Sequence, residues 1–386
     1  MDNCILMLIR AELCGTEIDE IDLRDDDVLE ALYRLSTKQD LTHVVGTALM
    51  KAGLSRDSAW FSHFRSARIT SVARHEQREE AQRQLRTLFC GAKIPFILLK
   101  GASIRAYYPY PEMRTSCDID LLVHPEDIGA ATDLLVGAGY RKVGEGGHDV
   151  RFTSPGGVLT EVHFTLMEEA QYPKMQPLLS EVWSYAVSDE DGIQYTLTPE
   201  FAYFYHIAHM VKHYEYGGCG IRTLMDLWVL RHRGRTPDED VLHRMLTKTG
   251  IALFEEHVRA LAEWWFSGVR PDDKHRMLYE LMEEYILTGG IYGSTENRVK
   301  VGQLQTGGRV RYLLTRIFVP GSRLKYEYPI LQKHPYLLPF CEVLRWFRLF
   351  SRRTADRIRH EVRFHRELSS EERNAAEFML HSLGLR

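Results

Sequence analysis

The chain changes character near residue 93, and this change constrains its fold more than any other feature. From Arg56 to Cys90 there is neither proline nor glycine, and Ala, Gln, Arg and Glu dominate, which predicts one long helix. Directly afterwards, Ile94 to Leu99 is a short apolar run of the kind that a buried strand makes. We therefore expect a helical N-terminal region, residues 1–92, and then a unit that contains a sheet.

Residues 93–185 alternate between short apolar runs and turns rich in glycine and proline. Pro125 to Gly137 has the features of a helix, because proline begins it, acidic residues fill its first turn and glycine ends it. Strands are predicted at residues 94–99, 118–123, 140–143, 149–153 and 158–166. The predicted fold class is therefore α+β, with a small α/β core and a mixed sheet embedded between helical regions.

Helical periodicity returns from about residue 198. Plausible helices span residues 199–214, 221–233, 238–249 and 252–266. We divide this part into a helical domain, residues 186–300, which would close a cleft over the core, and a basic helical region, residues 301–386. The basic region carries 16 Lys and Arg against 8 Asp and Glu, although the net charge of the whole chain is -4.

The positive charge of the last region lies mainly in a predicted amphipathic helix through Trp346 to Phe364. Seven arginines contribute to it: Arg345, Arg348, Arg352, Arg353, Arg357, Arg359 and Arg363. With aromatic residues interleaved, this pattern is compatible with contact to RNA or to a membrane surface. A docked helix with a solvated basic face is the favoured interpretation, so nucleic acid is not the favoured partner.

Composition limits the cellular setting. No apolar run approaches the roughly 20 residues of a membrane-spanning helix, and the N-terminus lacks the features of a signal peptide. The six cysteines form no Cys-x-x-Cys pair and no disulfide or zinc spacing. We expect reduced thiols and a cytoplasmic protein of bacterial type, with no transmembrane segment.

Two carboxylates with alternate spacing begin the second strand. Asp118 and Asp120 lie at i and i+2 of that strand, so their side chains project from one face and can reach the same pair of cations. Glu161, on a later strand with His163 on its face, can complete a two-metal site and accept a proton from a hydroxyl. Such oxygen ligands suit Mg²⁺ or Mn²⁺ rather than zinc. We expect Asp118, Asp120 and Glu161 to be the metal ligands and the catalytic residues.

A glycine turn follows the first strand and has the composition of a phosphate site. Backbone amides at a strand-to-helix turn attract phosphate, and Gly101 permits close approach. Lys100 and Arg114 are the natural cations for a triphosphate, and Ser103 and Ser116 can add hydrogen bonds. These five residues are the predicted nucleotide-binding set.

The string from Leu98 to Val123, together with the later glutamate, resembles the signature of nucleotidyltransferases of the DNA polymerase beta-like superfamily. More narrowly, it is similar to the family of uncharacterised nucleotidyltransferases. The matching elements are Leu99-Lys100-Gly101, Tyr108-Pro109, Arg114 to Val123 and Glu161-Val162-His163. Weaker similarities extend over most of the chain beyond residue 90. One departure is that Lys100-Gly101 replaces the Gly-Gly or Gly-Ser pair that is usual in the superfamily.

The resemblance implies in-line attack of an acceptor hydroxyl on the α-phosphate of a nucleoside triphosphate, with ATP favoured. It assigns Asp118 and Asp120 to both metals and Glu161 to the metal on the acceptor side. The acceptor is left open between a small molecule, a sugar, a peptide and a protein. Two other functions stay open: a catalytically silent, antitoxin-like nucleotide-binding module, and a protein that modifies RNA ends with its basic C-terminal region.

The helical domain carries further candidates for the cleft. Lys212, His213, Arg222 and Asp226 are placed where a closing domain would contact nucleotide or acceptor. His213 also belongs to a set with His206 and His209 on one face of a predicted helix. A zinc site is one interpretation of the three histidines, and core or cleft-lining histidines are the favoured one.

Overall fold

A computed structural model gives the structure of the chain. It describes residues 2–386 except residues 20, 169–171, 292, 309–310, 313, 316–317, 320, 322–323, 325–327, 329 and 350–367. Within these ranges, no helix combines the length and the apolar character needed to cross a membrane. The chain divides into two compact units, one of residues 1–211 and 220–276 and the other of residues 212–219 and 277–386.

The first unit begins with four helices. They are α1 (Asp2–Cys14), α2 (Asp26–Lys38), α3 (Thr42–Lys51) and α4 (Ala59–Ala92). The predicted long helix is confirmed as α4, with 34 residues. Ser58 begins it by accepting a hydrogen bond from the backbone N–H of Trp60, and Lys93 ends it in the left-handed conformation, with φ of 54°.

A seven-stranded mixed sheet follows. Its strands are β1 (Phe96–Leu98), β2 (Asp118–Leu122), β3 (Arg141–Glu145), β4 (Asp149–Thr153), β5 (Leu159–His163), β6 (Ala186–Ser188) and β7 (Gln194–Leu197). The order across the sheet is β3-β4-β5-β2-β1-β7-β6. β2 pairs with β5 in parallel and with β1 in antiparallel fashion, so the two strands that carry the predicted carboxylates are neighbours.

The five predicted strands are all present, and β6 and β7 were not predicted. Their residues are exposed or half-buried, so they lack the apolar run that marks a strand in the sequence. β7 joins the sheet by parallel pairing with β1, and β6 is added to β7 as an antiparallel edge strand. The predicted α+β class with a mixed sheet is confirmed.

Alternate residues of the central strands build the core on one face of the sheet. Ile119 and Leu121 of β2 and Val162 of β5 pack with Phe89 of α4 and Leu135 of the helix α6 (Ile128–Gly137). Because side chains alternate along a strand, the intervening residues of β2 and β5 point to the other face. The polar residues of these strands are therefore free to form a site there.

Further helices of the first unit occur between the strands and after them along the chain. They are α5 (Gly101–Ile104), α7 (Gln176–Leu179), α8 (Pro199–Glu215, which continues into the second unit), α9 (Ile221–His232), α10 (Glu239–Thr249) and α11 (Ala252–Ser267). The four helices predicted between residues 199 and 266 are thus confirmed. Short 3₁₀ turns occur at Arg105–Tyr107, Pro111–Met113, Pro125–Asp127, Val182–Tyr185 and Asp273–His275.

The second unit is helical where it is described. Its helices are α12 (Arg276–Gly289, whose first residue belongs to the first unit), α13 (Thr295–Thr306), α14 (Ile330–Lys333), α15 (Leu338–Leu349) and α16 (Ser370–Ser382), with a 3₁₀ turn at Pro335–Leu337. Of the predicted basic helix, α15 includes residues 346–349. The predicted arginines Arg352, Arg353, Arg357, Arg359 and Arg363 lie outside the described residues. Arg345 is buried and forms an ion pair of 2.8 Å with Glu342.

The close packing of α3 on α4 gives a first prediction. A Cβ atom on Gly46 of α3 would lie 2.7 Å from Cβ of Phe64 and 3.2 Å from its Cα, so Gly46→Ala must push the helices apart. We expect it to lower the free energy of unfolding by about 1 to 3 kcal/mol. Gly91→Ala is the control, because its Cβ would meet nothing within 4 Å, and helix propensity favours alanine by up to about 1 kcal/mol. Urea unfolding measures both, and a Gly46→Ala chain as stable as the Gly91→Ala chain would contradict the packing.

Candidate active site

The parallel pairing of β2 with β5 brings the predicted carboxylates together. Asp120 is the register partner of Glu161, and Asp118 is the partner of Leu159 on the same strand. Asp118, Asp120 and Glu161 share the face of the sheet opposite the apolar core, as does His163. The spacing along each strand and the register between the strands thus place four polar side chains close together on one face of the sheet.

Asp120 is the centre of this group. It is 5% exposed, and its Oδ1 accepts a hydrogen bond of 2.9 Å from Nζ of Lys100. Nε2 of His163 lies 2.8 Å from the same oxygen and donates to it, because a carboxylate can only accept. Burial alone would raise the pKa of Asp120, but the charge of Lys100 and the hydrogen bond from His163 outweigh it and hold the pKa below its usual value.

At Asp118 and Glu161 the effects that raise the pKa outweigh those that lower it. Burial raises the pKa of Asp118, and the neighbouring charge of Asp120 raises it further. Burial also raises the pKa of Glu161, again with contributions from Asp120 and then Asp118. The positive charge of Lys100 lowers both values without cancelling these effects. The site therefore holds more negative charge than its own cations neutralise.

The donor atoms of this site are close enough to bind one cation. Ligand atoms of Asp120, Glu161 and His163 all lie within 4.8 Å of one another. Asp118 is outside that group, although it projects from the same face of β2. Two carboxylates and an imidazole are suitable ligands for a divalent metal ion.

Lys100 reaches Asp120 from an unusual backbone conformation. It joins β1 to the short helix α5 with φ of 49° and ψ of -122°, a region that residues with a Cβ rarely occupy. Such a conformation costs about 1 to 3 kcal/mol and persists where the surroundings impose it. Gly101 is the first residue of α5, and the hydroxyl of Ser103 donates to the carbonyl of Lys100 at 2.8 Å. The conformation of this turn therefore directs the ammonium group of Lys100 toward Asp120.

Arg114 forms a buried ion pair with Asp226. Its Nε and one terminal nitrogen donate to the two carboxylate oxygens of Asp226 at 2.7 and 2.8 Å, and Tyr108 donates to the same carboxylate at 2.6 Å. Burial raises the pKa of Asp226, but the charge and hydrogen bonds of Arg114 lower it more, so the pKa lies below its usual value. In this structure Arg114 therefore fixes the segment that leads into β2, and its predicted contact with phosphate stays a prediction.

Of two further predicted residues, Ser116 lies in the same segment and Arg222 contacts this segment from α9. The hydroxyl of Ser116 accepts a hydrogen bond from Arg105 at 3.1 Å and donates to the carbonyl of Asp118 at 3.1 Å. Arg222 donates to the carbonyl of Thr115 at 3.0 Å. Ser116 thus lies two residues before Asp118, and Arg222, from the distant helix α9, contacts the residue before Ser116.

The predicted histidine and cleft residues separate into two groups. His206 is buried in the first unit with Nε2 2.9 Å from the carbonyl of Thr223, and burial lowers its pKa. Lys212 and His213 belong to the second unit, so their part in a cleft stays a prediction. Across the described part of the chain, His206, His209 and His213 do not form a cluster of metal-ligand size.

Sequence reasoning missed two residues near the site. Tyr205 of α8 is buried close enough to Lys100 for their charges to interact, and burial raises its pKa to about 12 against the opposing effect of Lys100. Arg105 bonds Ser116 and also pairs with Glu79 of α4 at 3.0 Å. A helical pattern marks Tyr205 only as a core residue, and Arg105 carries no motif, so the sequence contained no signal for either.

A sheet that presents paired carboxylates beside a Lys-Gly turn is the arrangement expected of a nucleotidyltransferase. The profile of the family described as uncharacterised nucleotidyltransferases matches residues 26–267. Because this match covers more than half of the chain, the chain belongs to that family. The matched range begins with α2 and ends with α11, and it contains the whole sheet. Neither the comparison with curated proteins nor that with solved structures gave a match.

The buried pair of Arg114 and Asp226 predicts a stability change. Asp226→Asn leaves Arg114 buried without its counter-charge, so we expect the free energy of unfolding at pH 7 to fall by about 3 to 5 kcal/mol. Because the folded pKa of Asp226 is lowered, its contribution is complete above the unfolded value of about 3.9 and is lost as the pH falls through the folded value. The loss caused by the substitution should therefore shrink in acid.

Urea unfolding at pH 7 and at a series of lower pH values measures this effect. Asp191→Asn is the control, because Asp191 is an exposed residue and its substitution should change stability by less than about 0.5 kcal/mol. An Asp226→Asn chain that is as stable at pH 7 as this control would show that the ion pair does not support the fold.

Proposed function

We propose that the chain transfers a nucleoside monophosphate, AMP from ATP as the favoured case, to a hydroxyl group of an acceptor and releases pyrophosphate. The observation that carries this proposal is the unbalanced charge of Asp118, Asp120 and Glu161 on adjacent strands. Burial and the charge of Asp120 raise the pKa of Asp118 and of Glu161, so these two carboxylates do not stabilise the fold by themselves. A divalent cation and a triphosphate would supply the missing partners.

The ligand chemistry fits a resident magnesium or manganese ion. We assign Asp118, Asp120 and Glu161 as its ligands, because carboxylate oxygens are the preferred ligands of both ions. When bound, such ions stabilise the charge that develops on the attacking and leaving oxygens. His163 donates to Asp120 and would hold that carboxylate in orientation, as residues behind a metal ligand commonly do.

We assign the remaining roles, proton acceptance and phosphate binding, to Glu161 and to residues around the carboxylates. Glu161 is the proposed base for the acceptor hydroxyl; its pKa is raised above its usual value, first by burial, and a higher pKa makes a carboxylate a stronger proton acceptor. Lys100 is the proposed cation for the triphosphate, with Gly101 and Ser103 of the same turn and Ser116 of the segment before β2 as hydrogen-bonding partners. Arg114, held by Asp226, would keep the Thr115–Ser116 segment in place for this contact.

A second function is favoured by one specific contact. The ammonium group of Lys100 bonds Asp120 directly at 2.9 Å, so it competes with a metal ion for that carboxylate. A chain in which Lys100 stays there would bind nucleotide without turning it over. Release of pyrophosphate distinguishes this silent module from the proposed enzyme.

The proposal predicts the effect of removing single carboxylates. Asp120→Asn and Glu161→Gln should each lower the rate of metal-dependent pyrophosphate release by about 100-fold or more, since each removes a ligand or base used in the transition state. Chelation of the metal should stop the reaction, and added Mg²⁺ or Mn²⁺ should restore it. Release is measured with each of the four ribonucleoside triphosphates and a cell extract as the source of acceptor.

Glu145→Gln is the matched control, because Glu145 is an exposed carboxylate of the same sheet on the distant strand β3. It should leave the rate unchanged. Thermal unfolding of each variant separates loss of chemistry from loss of the fold. Unchanged release from both Asp120→Asn and Glu161→Gln, in folded protein, would contradict the assignment.

A further inference from the structure

A polar cleft lies between the N-terminal helices and the segment that leads into β2. Its volume is about 620 Å³, which is within the range of sites for small molecules. Eight of its lining side chains carry a hydroxyl group: Tyr33, Thr37, Thr42, Ser62, Ser66, Thr70, Ser71 and Thr115. Those of Ser66 and Thr70 make no hydrogen bond within the part of the chain that the structure describes. The cleft therefore offers donors and acceptors to a ligand that has many polar groups.

The cleft lies next to the segment that leads into the candidate active site. Thr115 lines it and precedes Asp118 by three residues, a separation that the backbone can extend to at most about 11 Å. Asp40, a second lining residue, accepts from the hydroxyl of Thr115 at 2.7 Å and from Arg222 at 3.2 Å. A molecule of sugar size held in the cleft would thus be within reach of the carboxylates on β2.

One face of α4 continues from the cleft toward the active site. Ala67, Ser71 and Arg74 line the cleft, and Arg78 follows at the same helical spacing. Arg78 is only 7% exposed, donates to the carbonyl of Ser116, and has a buried Nε without a partner. Along this face α4 therefore contacts the residue that stands two positions before Asp118.

This face carries positive charge that the described residues leave unbalanced. Neither Arg74 nor Arg78 has a carboxylate within ion-pair distance in the described ranges, whereas Arg105, beside Arg78, is paired with Glu79. Arg74 is exposed and lines the cleft, so its guanidinium is available to an anion bound there, whereas Arg78 is buried beyond the lining residues. The cleft combines hydroxyl groups with an arginine face that lacks an anion.

We propose that this cleft binds the acceptor of the nucleotidyl transfer, and that the acceptor is a small polyhydroxylated molecule with an anionic group. The inference rests on the proposed function and deepens it by naming the acceptor class and its site. One hydroxyl oxygen of the acceptor forms a bond to the α-phosphorus, and the bond from that phosphorus to the bridging oxygen of pyrophosphate breaks. Pyrophosphate leaves with the electron pair, and the hydroxyl proton passes to the assigned base.

The test uses the full chain, Mg²⁺, the four α-labelled nucleoside triphosphates and the small-molecule fraction of a cell extract. Label should appear on an acidic, hydroxyl-rich small molecule. Ala67→Trp fills the cleft from α4, and we expect it to lower this transfer by about tenfold or more. Ile69→Trp is the matched control, because Ile69 lies on the same helix, is 56% exposed and does not line the cleft.

Arg74→Ala gives a second readout that does not depend on filling the cleft. It should raise the KM for the acceptor by about tenfold while kcat changes little, because the arginine contacts the anionic group and not the reacting atoms. Treatment of the extract with phosphatase, removed before the triphosphates are added, identifies the anion: transfer that is lost shows a phosphate, and transfer that survives with the KM still raised in Arg74→Ala shows another anion, such as a carboxylate.

Binding of a fluorescent triphosphate analogue with Mg²⁺ distinguishes a failure of the acceptor assignment from a failure of the proposed function. If all chains bind it alike and Ala67→Trp alone loses transfer, the cleft is the acceptor site. If Ala67→Trp transfers label as fast as Ile69→Trp, or if label appears only on protein or RNA when those fractions are added, the acceptor assignment is wrong. If the unsubstituted chain binds no nucleotide, the proposed function itself fails and the inference fails with it.

Discussion

The parallel pairing of β2 with β5 determines what this molecule can do, because it sets Asp120 directly beside Glu161 and leaves Asp118 on the same face. Like charges in a half-buried place repel, and the raised pKa values of Asp118 and Glu161 express that repulsion. Lys100 and His163 form hydrogen bonds of 2.9 and 2.8 Å with Asp120, whereas Nε2 of His163 lies 3.7 Å from Glu161, beyond hydrogen-bond distance. The sheet therefore holds a concentration of negative charge that a cation can stabilise.

Several polar contacts hold the segment before β2 in place. Arg114 is fixed by Asp226 in a two-point ion pair, Thr115 is bonded by Arg222, and the carbonyl of Ser116 is bonded by Arg78. These contacts come from α4 and α9, which are distant in sequence from β2. They determine where β2 begins and hence where its carboxylates lie. We interpret the arginines as the frame of the site rather than as its reactive groups.

How far the sequence could anticipate the site differs from residue to residue. Alternation along a strand was sufficient to put Asp118 and Asp120 on one face, and the short apolar runs were sufficient to find β2 and β5. The register that makes Asp120 the partner of Glu161 depends on pairing between distant strands, so no local pattern contains it.

Other features were outside the reach of local patterns. Arg114 has a composition suited to phosphate, but its partner Asp226 is 112 residues away and becomes a neighbour only through the fold. β6 and β7 were missed because their residues are exposed or half-buried, so neither the edge strand β6 nor its neighbour β7 contains an apolar run. The conformation of Lys100 was also unpredicted, since the residue type argues against a positive φ and only the surroundings impose it.

The central claim is that the carboxylates of β2 and β5 hold a divalent cation in place of the ammonium group of Lys100. Diffraction from crystals grown with Mn²⁺ and a non-hydrolysable nucleoside triphosphate tests this claim directly, because manganese is located by its anomalous signal. The account predicts an anomalous peak bound by Asp120 and Glu161, with Nζ of Lys100 moved from Asp120 to a phosphate oxygen. Nucleotide bound elsewhere, with Lys100 still on Asp120 and no peak beside it, would contradict the account.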